Sequence, residues 1–251
     1  MYKERYVTFA DILGFADIVK KSAKDSTPKR QDALVNALIE AGSYHPGLNA
    51  TDDIQFQTFS DSIVMSSAST MSGLLHILTS MADLSIRLLR LGLLIRGAIA
   101  KGSLHHDGFI MFGPAFLEAY CIERELARYP RIVLSREAHQ DFKRIEGGLK
   151  FPQILFDDDG PPFLHVFANL AMLNEGEPTI DFLNSPDVLD AQMCQRSIQN
   201  LLDASIYDPG HYEKLRWLAI YWNGTVARGA GHALEPILLP ITLQHKVTQR
   251  A

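Results

Sequence analysis

The sequence predicts an α+β fold: a largely antiparallel sheet with helices on one face, followed by a helical C-terminal extension. Two observations predict it. Short β-branched and aromatic runs alternate with longer helical periodicities in the order strand, helix, two strands, helix, strand, turn, helix, strand, and Gly14, Gly42, Gly92 and Pro114 mark the junctions.

Residues 6–12 (Tyr-Val-Thr-Phe-Ala-Asp-Ile) read as a buried strand ending at Gly14, with polar Asp11 as its anomaly. A helix follows from Phe15. Residues 29–41 place Ala33, Leu34, Ala37, Leu38 and Ala41 on one helical face, and Gly42 stops that helix. Residues 55–66 form two strand-like runs around Ser60-Asp61-Ser62, the pattern of a tight hairpin with an acid at its tip.

From 69 to 91, Met71, Leu74, Leu75, Leu78, Met81, Ala82 and Leu88 recur at helical spacing, and Gly92 is positioned as a cap. Residues 93–100 return to strand character, and His105 to Gly108 is expected to turn the chain into a short strand over 109–112. Pro114 suits the first position of a helix reaching about 128, and 131–134 is a further strand. Residues 1–150 thus read as one core unit. Residues 151–251 contain final strands about the Asp157-Asp158-Asp159 turn, then helices opened by Ser185-Pro186 and Asp208-Pro209.

With 251 residues, 47% of them hydrophobic and 21% charged, the chain can bury a core without disulfide or metal staples. The net charge of −5 and the scattered 24 Lys and Arg leave no footprint for a nucleic-acid polymer. The apolar stretch 84–95 carries Arg87 and Arg90 and is too short to span a bilayer. Cys121 and Cys194 have neither disulfide-framework nor zinc-ligand spacing, which fits a reducing cytoplasm.

Chemistry concentrates at three residues: Asp11 at a strand end, Asp61 at a hairpin tip and Gly14 just after Asp11. Divalent cations such as Mg²⁺ take carboxylate oxygens and share the phosphates of a substrate, so two acids at adjacent strand ends suit phosphoryl chemistry. Gly14 lets the backbone turn close to phosphate, and the helix from Phe15 offers free N–H groups. Taken singly, each acid also reads as a solvated turn or cap residue. His105 and His106 read as exposed turn histidines, and Asp157 to Asp159 as a solvated turn.

Phe9-Ala10-Asp11-Ile12-Leu13-Gly14-Phe15, Phe59-Ser60-Asp61-Ser62, Arg96-Gly97-Ala98-Ile99-Ala100-Lys101-Gly102 and Phe112-Gly113-Pro114-Ala115 occur in this order. Together they resemble the class III nucleotidyl cyclase core, and most closely the bacterial pyrimidine cyclases of the Pycsar anti-phage defence systems. The resemblance covers about residues 5 to 135. It implies a ferredoxin-like core that dimerises head to tail, with a nucleoside triphosphate between subunits. Asp11 and Asp61 match the metal-binding acids and the Ile12 carbonyl a backbone ligand, for two Mg²⁺ or Mn²⁺ ions per site. The cyclic product would be read by a separate effector protein.

The chain departs from adenylyl and guanylyl cyclases where those carry an asparagine and an arginine that stabilises the transition state: the matching positions are Leu117 and Cys121. Arg96 and Arg124 are the candidate substitutes, each with an alternative, Arg96 pairing with a structural acid and Arg124 lying on a solvated helix face. Strand alternation puts Phe9 on the face of Asp11, and Gln57 on the face of Asp61. Gln57 stands where purine cyclases usually carry a base-reading residue, and Ile110 where they carry an acid. A glutamine amide can pair with uracil or cytosine, and Phe9 either limits pocket depth or is core. The expected product is cyclic UMP or cyclic CMP, with a non-catalytic nucleotide-binding module or a purine cyclase as the alternatives.

Overall fold

A computed structural model describes residues 1–22, 31–32, 35–36, 39, 52–148, 153–158, 160–168, 186–230 and 234–240. The helix expected over 29–41, with its Gly42 stop, lies largely outside the described residues, as does Ser185.

Eight strands form one mixed sheet: β1 (Lys3–Leu13), β2 (Gln55–Phe59), β3 (Ser62–Ala68), β4 (Leu94–His106), β5 (Met111–Phe112), β6 (Ile132–Leu134), β7 (Ile154–Phe156) and β8 (Pro162–Leu164). Their order is β2-β3-β1-β4-β6-β8-β7, with β5 paired to β4. All pairings are antiparallel except β4 with β6. β1 is central because its residues are apolar on both faces: Tyr6, Ala10 and Ile12 enter one core, Val7 and Phe9 the other.

The first core is closed by α2 (Met71–Arg90) and α4 (Arg136–Lys143), through Leu74, Ile77, Met81, Ala138 and Phe142. Thr70 starts α2 by accepting a hydrogen bond from the Gly73 amide at 3.0 Å, which satisfies one of the donors a helix start leaves free. The helix α3 (Pro114–Glu125) lies on the opposite face, where Ala115 and Ala119 meet Val7, Phe9 and Ala98. Small residues let α3 approach closely. At Gly113, the residue before Pro114, a Cβ would stand 2.6 Å from the Ser103 carbonyl oxygen, so only glycine fits.

The short helix α1 (Phe15–Ser22) follows β1. Helices α5 (Pro186–Ala204) and α6 (Pro209–Thr225) carry the extension. The side chain of Asp208 caps α6 by accepting from the His211 amide at 3.2 Å, as the Asp-Pro pair predicts. Trp222, fully buried, centres a cluster with Phe167, Ile198 and Leu202 that reaches Leu89 of α2 and Phe163 of β8.

Three local expectations change. β4 runs on to His106, which is buried and bonded to Ser66 Oγ at 2.8 Å through Nδ1, so the turn begins only at Asp107. Asp157 is no solvated turn residue: it meets the buried Arg131 at 2.6 Å and accepts from the Trp217 indole. Arg131 in turn lies against the rings of Tyr129, Phe163 and Trp217, a cation–π cluster between sheet and extension. Helix α4 was not expected, since its polar sequence shows few apolar repeats; Ser135 caps it, accepting from the Ala138 amide at 3.3 Å.

Candidate active site

Asp11 sits near the end of the central strand, with Ser62 of β3 opposite on one side and Arg96 of β4 on the other. Residues opposed in an antiparallel pair share a face, so all three point to the α3 side of the sheet. Phe59 pairs with Ser62, which leaves Ser60 and Asp61 as a two-residue turn with Ser60 at φ 58°. The Ile12 amide donates to the Asp61 carbonyl at 3.0 Å and ties the hairpin tip to β1. The two acids, fifty residues apart in sequence, thereby share one spot.

Burial, followed by the Asp61 charge, pushes the Asp11 carboxyl up to about 6; the Glu123 charge raises it further and Arg96 opposes the rise. A hydrogen bond between the Asp11 and Asp61 carboxyls contributes to the same shift. Two crowded carboxylates, one resisting ionisation, form a donor set that a hard cation would complete, so these residues fit Mg²⁺ or Mn²⁺. Ile12 has its side chain buried on the opposite face and can offer only its backbone.

Arg96 contacts Glu123 of α3 at 2.5 Å between Nε and Oε1. The N–H does not point at the oxygen well enough to make a hydrogen bond, so the contact is an ion pair between poorly aligned groups. Glu123 was missed by sequence reading, yet it had a signal: Ala115, Ala119 and Glu123 recur every four residues, the buried stripe of α3. An acid on such a stripe requires a partner. Arg124, Leu117 and Cys121 are all exposed on the same helix.

Gln57, Val64, Phe9 and Ala98 are successive cross-strand partners on the α3 face. Gln57 Oε1 is buried without a hydrogen-bond partner. Phe9 is only 8% exposed and packs edge-on to Phe116 and Tyr120 at 5.7 and 5.4 Å. Its core reading is therefore real, and any contact with a ligand would use the ring edge. Gly14, at φ 73°, makes the turn into α1, and a Cβ there would meet nothing within 4 Å. Phe15 packs its ring on the α2-side core, leaving its backbone as the part near the turn. Ile110 lies exposed in the turn beyond β4.

No helix among the described residues is long and apolar enough to cross a membrane. No protein-family model and no curated protein matches the chain. Solved structures do. The guanylyl cyclase domain of a rhodopsin fusion protein from the aquatic fungus Blastocladiella emersonii is similar at 18% identity and a TM-score of 0.47, over 65% of this chain and 95% of that one. The catalytic core of a rhodopsin-guanylyl cyclase with converted specificity gives 15% and 0.44, over 65% and 96%. A class III adenylyl cyclase-like ATP-binding protein from Pseudomonas aeruginosa gives 14% and 0.45, over 67% of this chain and 39% of that protein.

Proposed function

We propose that the protein is a class III nucleotidyl cyclase that converts UTP or CTP to the 3′,5′-cyclic monophosphate and pyrophosphate. One observation carries this reading: Asp11 and Asp61 meet at the end of β1, immediately before a glycine turn that opens a helix. Asp11, Asp61 and the Ile12 carbonyl would hold Mg²⁺ or Mn²⁺. Such ions supply positive charge that acidifies the ribose 3′-hydroxyl and neutralises the triphosphate.

In the reaction the 3′-oxygen bonds the α-phosphorus, the bond from that phosphorus to the β-phosphate oxygen breaks, and pyrophosphate leaves. The hydroxyl proton passes to solvent, and no bond to the protein forms. The Gly14 turn and the first amides of α1 give the phosphates a close backbone approach. Arg96 orients a phosphate oxygen when it exchanges Glu123 for substrate. Gln57 offers its unpartnered carbonyl oxygen to a base N–H, and the Phe9 ring closes the depth beside it. Exposed apolar Phe59, Leu117 and Tyr120 on the α3 side suit a second subunit, so the working unit is a homodimer. The cyclic product is read by an effector protein in anti-phage defence, as the motif resemblance implies.

A non-catalytic nucleotide-binding module is the second reading. The Arg96–Glu123 pair and the absence of charged donors at Leu117 and Cys121 favour it. The test is turnover in purified Asp11→Ala and Asp61→Ala. Each variant should lose it while remaining dimeric by light scattering, because the change removes a metal ligand and little packing. Near-normal turnover in either would end the metal assignment.

A further inference from the structure

A cavity of about 320 Å³ lies beside the β1–α1 turn, and Leu13 and Leu94 in its lining are in strand phase with Asp11 and Arg96. It is lined by Leu13, Gly14 and Leu94 at the ends of β1 and β4 and by Leu201, Ala204 and Leu215 of α5 and α6. That volume is at the lower end of the range of about 300–1,000 Å³ typical of small-ligand sites. The rest of the lining is polar: Ser205, Asp208, His211 and Lys214. Asp208 is already used, by the His211 amide at 3.2 Å and by His211 Nδ1 at 2.8 Å. Lys214, one turn further along α6 and half-buried, lines the same cavity with no ion pair among the described residues.

From an apolar chamber with one unpaired ammonium at its mouth, we infer that this cavity binds a small amphipathic monoanion, its flat or aliphatic body between the leucines and its acid group on Lys214. The leucines supply burial at roughly 25 cal/mol per Å², and Lys214 supplies the charge that selects an anion over its neutral isostere. The ligand would also touch Leu13 and Gly14, the residues that directly follow Asp11 and Ile12, so binding is felt at the turn. The cavity shares Gly14 with the site proposed for the nucleotide, and its test uses a probe that carries no phosphate and does not depend on turnover.

The probe is 8-anilinonaphthalene-1-sulfonate, titrated into the folded full-length chain and followed by fluorescence, with the neutral N-phenyl-1-naphthylamine as control. The expected result is one saturable site that shifts the Gly14 amide resonance. Lys214→Gln should weaken sulfonate binding about tenfold and leave the neutral amine unchanged, and Ala204→Trp, which fills the chamber, should abolish both. Should Ala204→Trp not fold, the Lys214→Gln comparison decides. Absence of saturable binding to the wild type, or equal sulfonate affinity in wild type and Lys214→Gln, would overturn the inference.

Discussion

Arg96 on β4 and Glu123 on α3 are in contact at 2.5 Å, and the two differ in their access to water: the Arg96 side chain is 26% exposed and that of Glu123 only 5%. That asymmetry sets an order of costs. Removing Arg96 leaves a carboxylate buried without a partner, whereas neutralising Glu123 leaves a guanidinium that can turn toward solvent. Arg96→Met should therefore lower stability by about 3 kcal/mol and Glu123→Gln by about 1 kcal/mol. Urea denaturation of the two variants checks this, and the reverse order would show that Glu123 draws on another partner.

Asp11 makes a prediction about the metal-free protein. Its folded pKa of about 6 lies above the ordinary 3.8, so the folded state binds the proton more tightly than the unfolded chain. The stability this contributes is fully present below about pH 4 and is lost as pH rises through 6. Asp11→Asn, which cannot ionise, should stabilise the metal-free protein at pH 7 by about 1 kcal/mol, once the shift is discounted for partial solvent access. Urea midpoints in the presence of a chelator measure it. A large loss of stability would show that Asp11 is held by contacts other than a repelling neighbour.

His165 gives the opposite sign. Burial, with a smaller contribution from Arg228, holds its pKa down to about 4, and its Nδ1 lies 2.6 Å from the Tyr221 hydroxyl. The unfolded chain therefore takes the proton first as pH falls from about 6.5, and stability present above that pH is lost down to about 4, by up to about 3 kcal/mol. The loss should be smaller in His165→Gln, which keeps a hydrogen-bonding side chain without the charge change. Denaturation at pH 7 and pH 4.5 distinguishes the two proteins, and identical slopes would exclude His165 as the sensor.

Much of the fold, and the strand-end placement of the two candidate acids, were legible in the sequence. The central strand, the hairpin, the long α2 and the three proline-led helices followed from apolar runs, caps and breakers that act locally. Asp11 and Asp61 were legible because an acid inside an apolar strand and an acid at a hairpin tip are each visible alone. Their joining was expected only from the order of motifs, because the Ile12–Asp61 hydrogen bond is a long-range contact that no local pattern encodes. The partners of Glu123 and His106 were illegible for a related reason: Arg96 and Ser66 lie on other elements. Phe9 shows the converse, since its face was readable from strand alternation, but the rings that cover it belong to α3.

Base choice should respond to Gln57 more than to Phe9. Gln57 carries the unpartnered buried oxygen, whereas Phe9 is held by Phe116 and Tyr120. Gln57→Ala should erode pyrimidine preference by about 1–3 kcal/mol, read as the ratio of kcat/KM for UTP and ATP. Phe9→Leu, which conserves most of the volume, should shift that ratio less and cost under about 1.5 kcal/mol of stability. An unchanged ratio in Gln57→Ala would return that residue to a strand-face role.

The measurement that bears most directly on the Asp11–Asp61 centre is the mass of the products formed when the purified protein is incubated with each of the four ribonucleoside triphosphates and Mn²⁺. The expected result is cyclic UMP or cyclic CMP with pyrophosphate, formed by the wild type and absent with Asp11→Ala. Predominant cyclic AMP or cyclic GMP would contradict the base assignment, and no cyclic product from any of the four would contradict the enzyme itself and leave a nucleotide-binding module in its place.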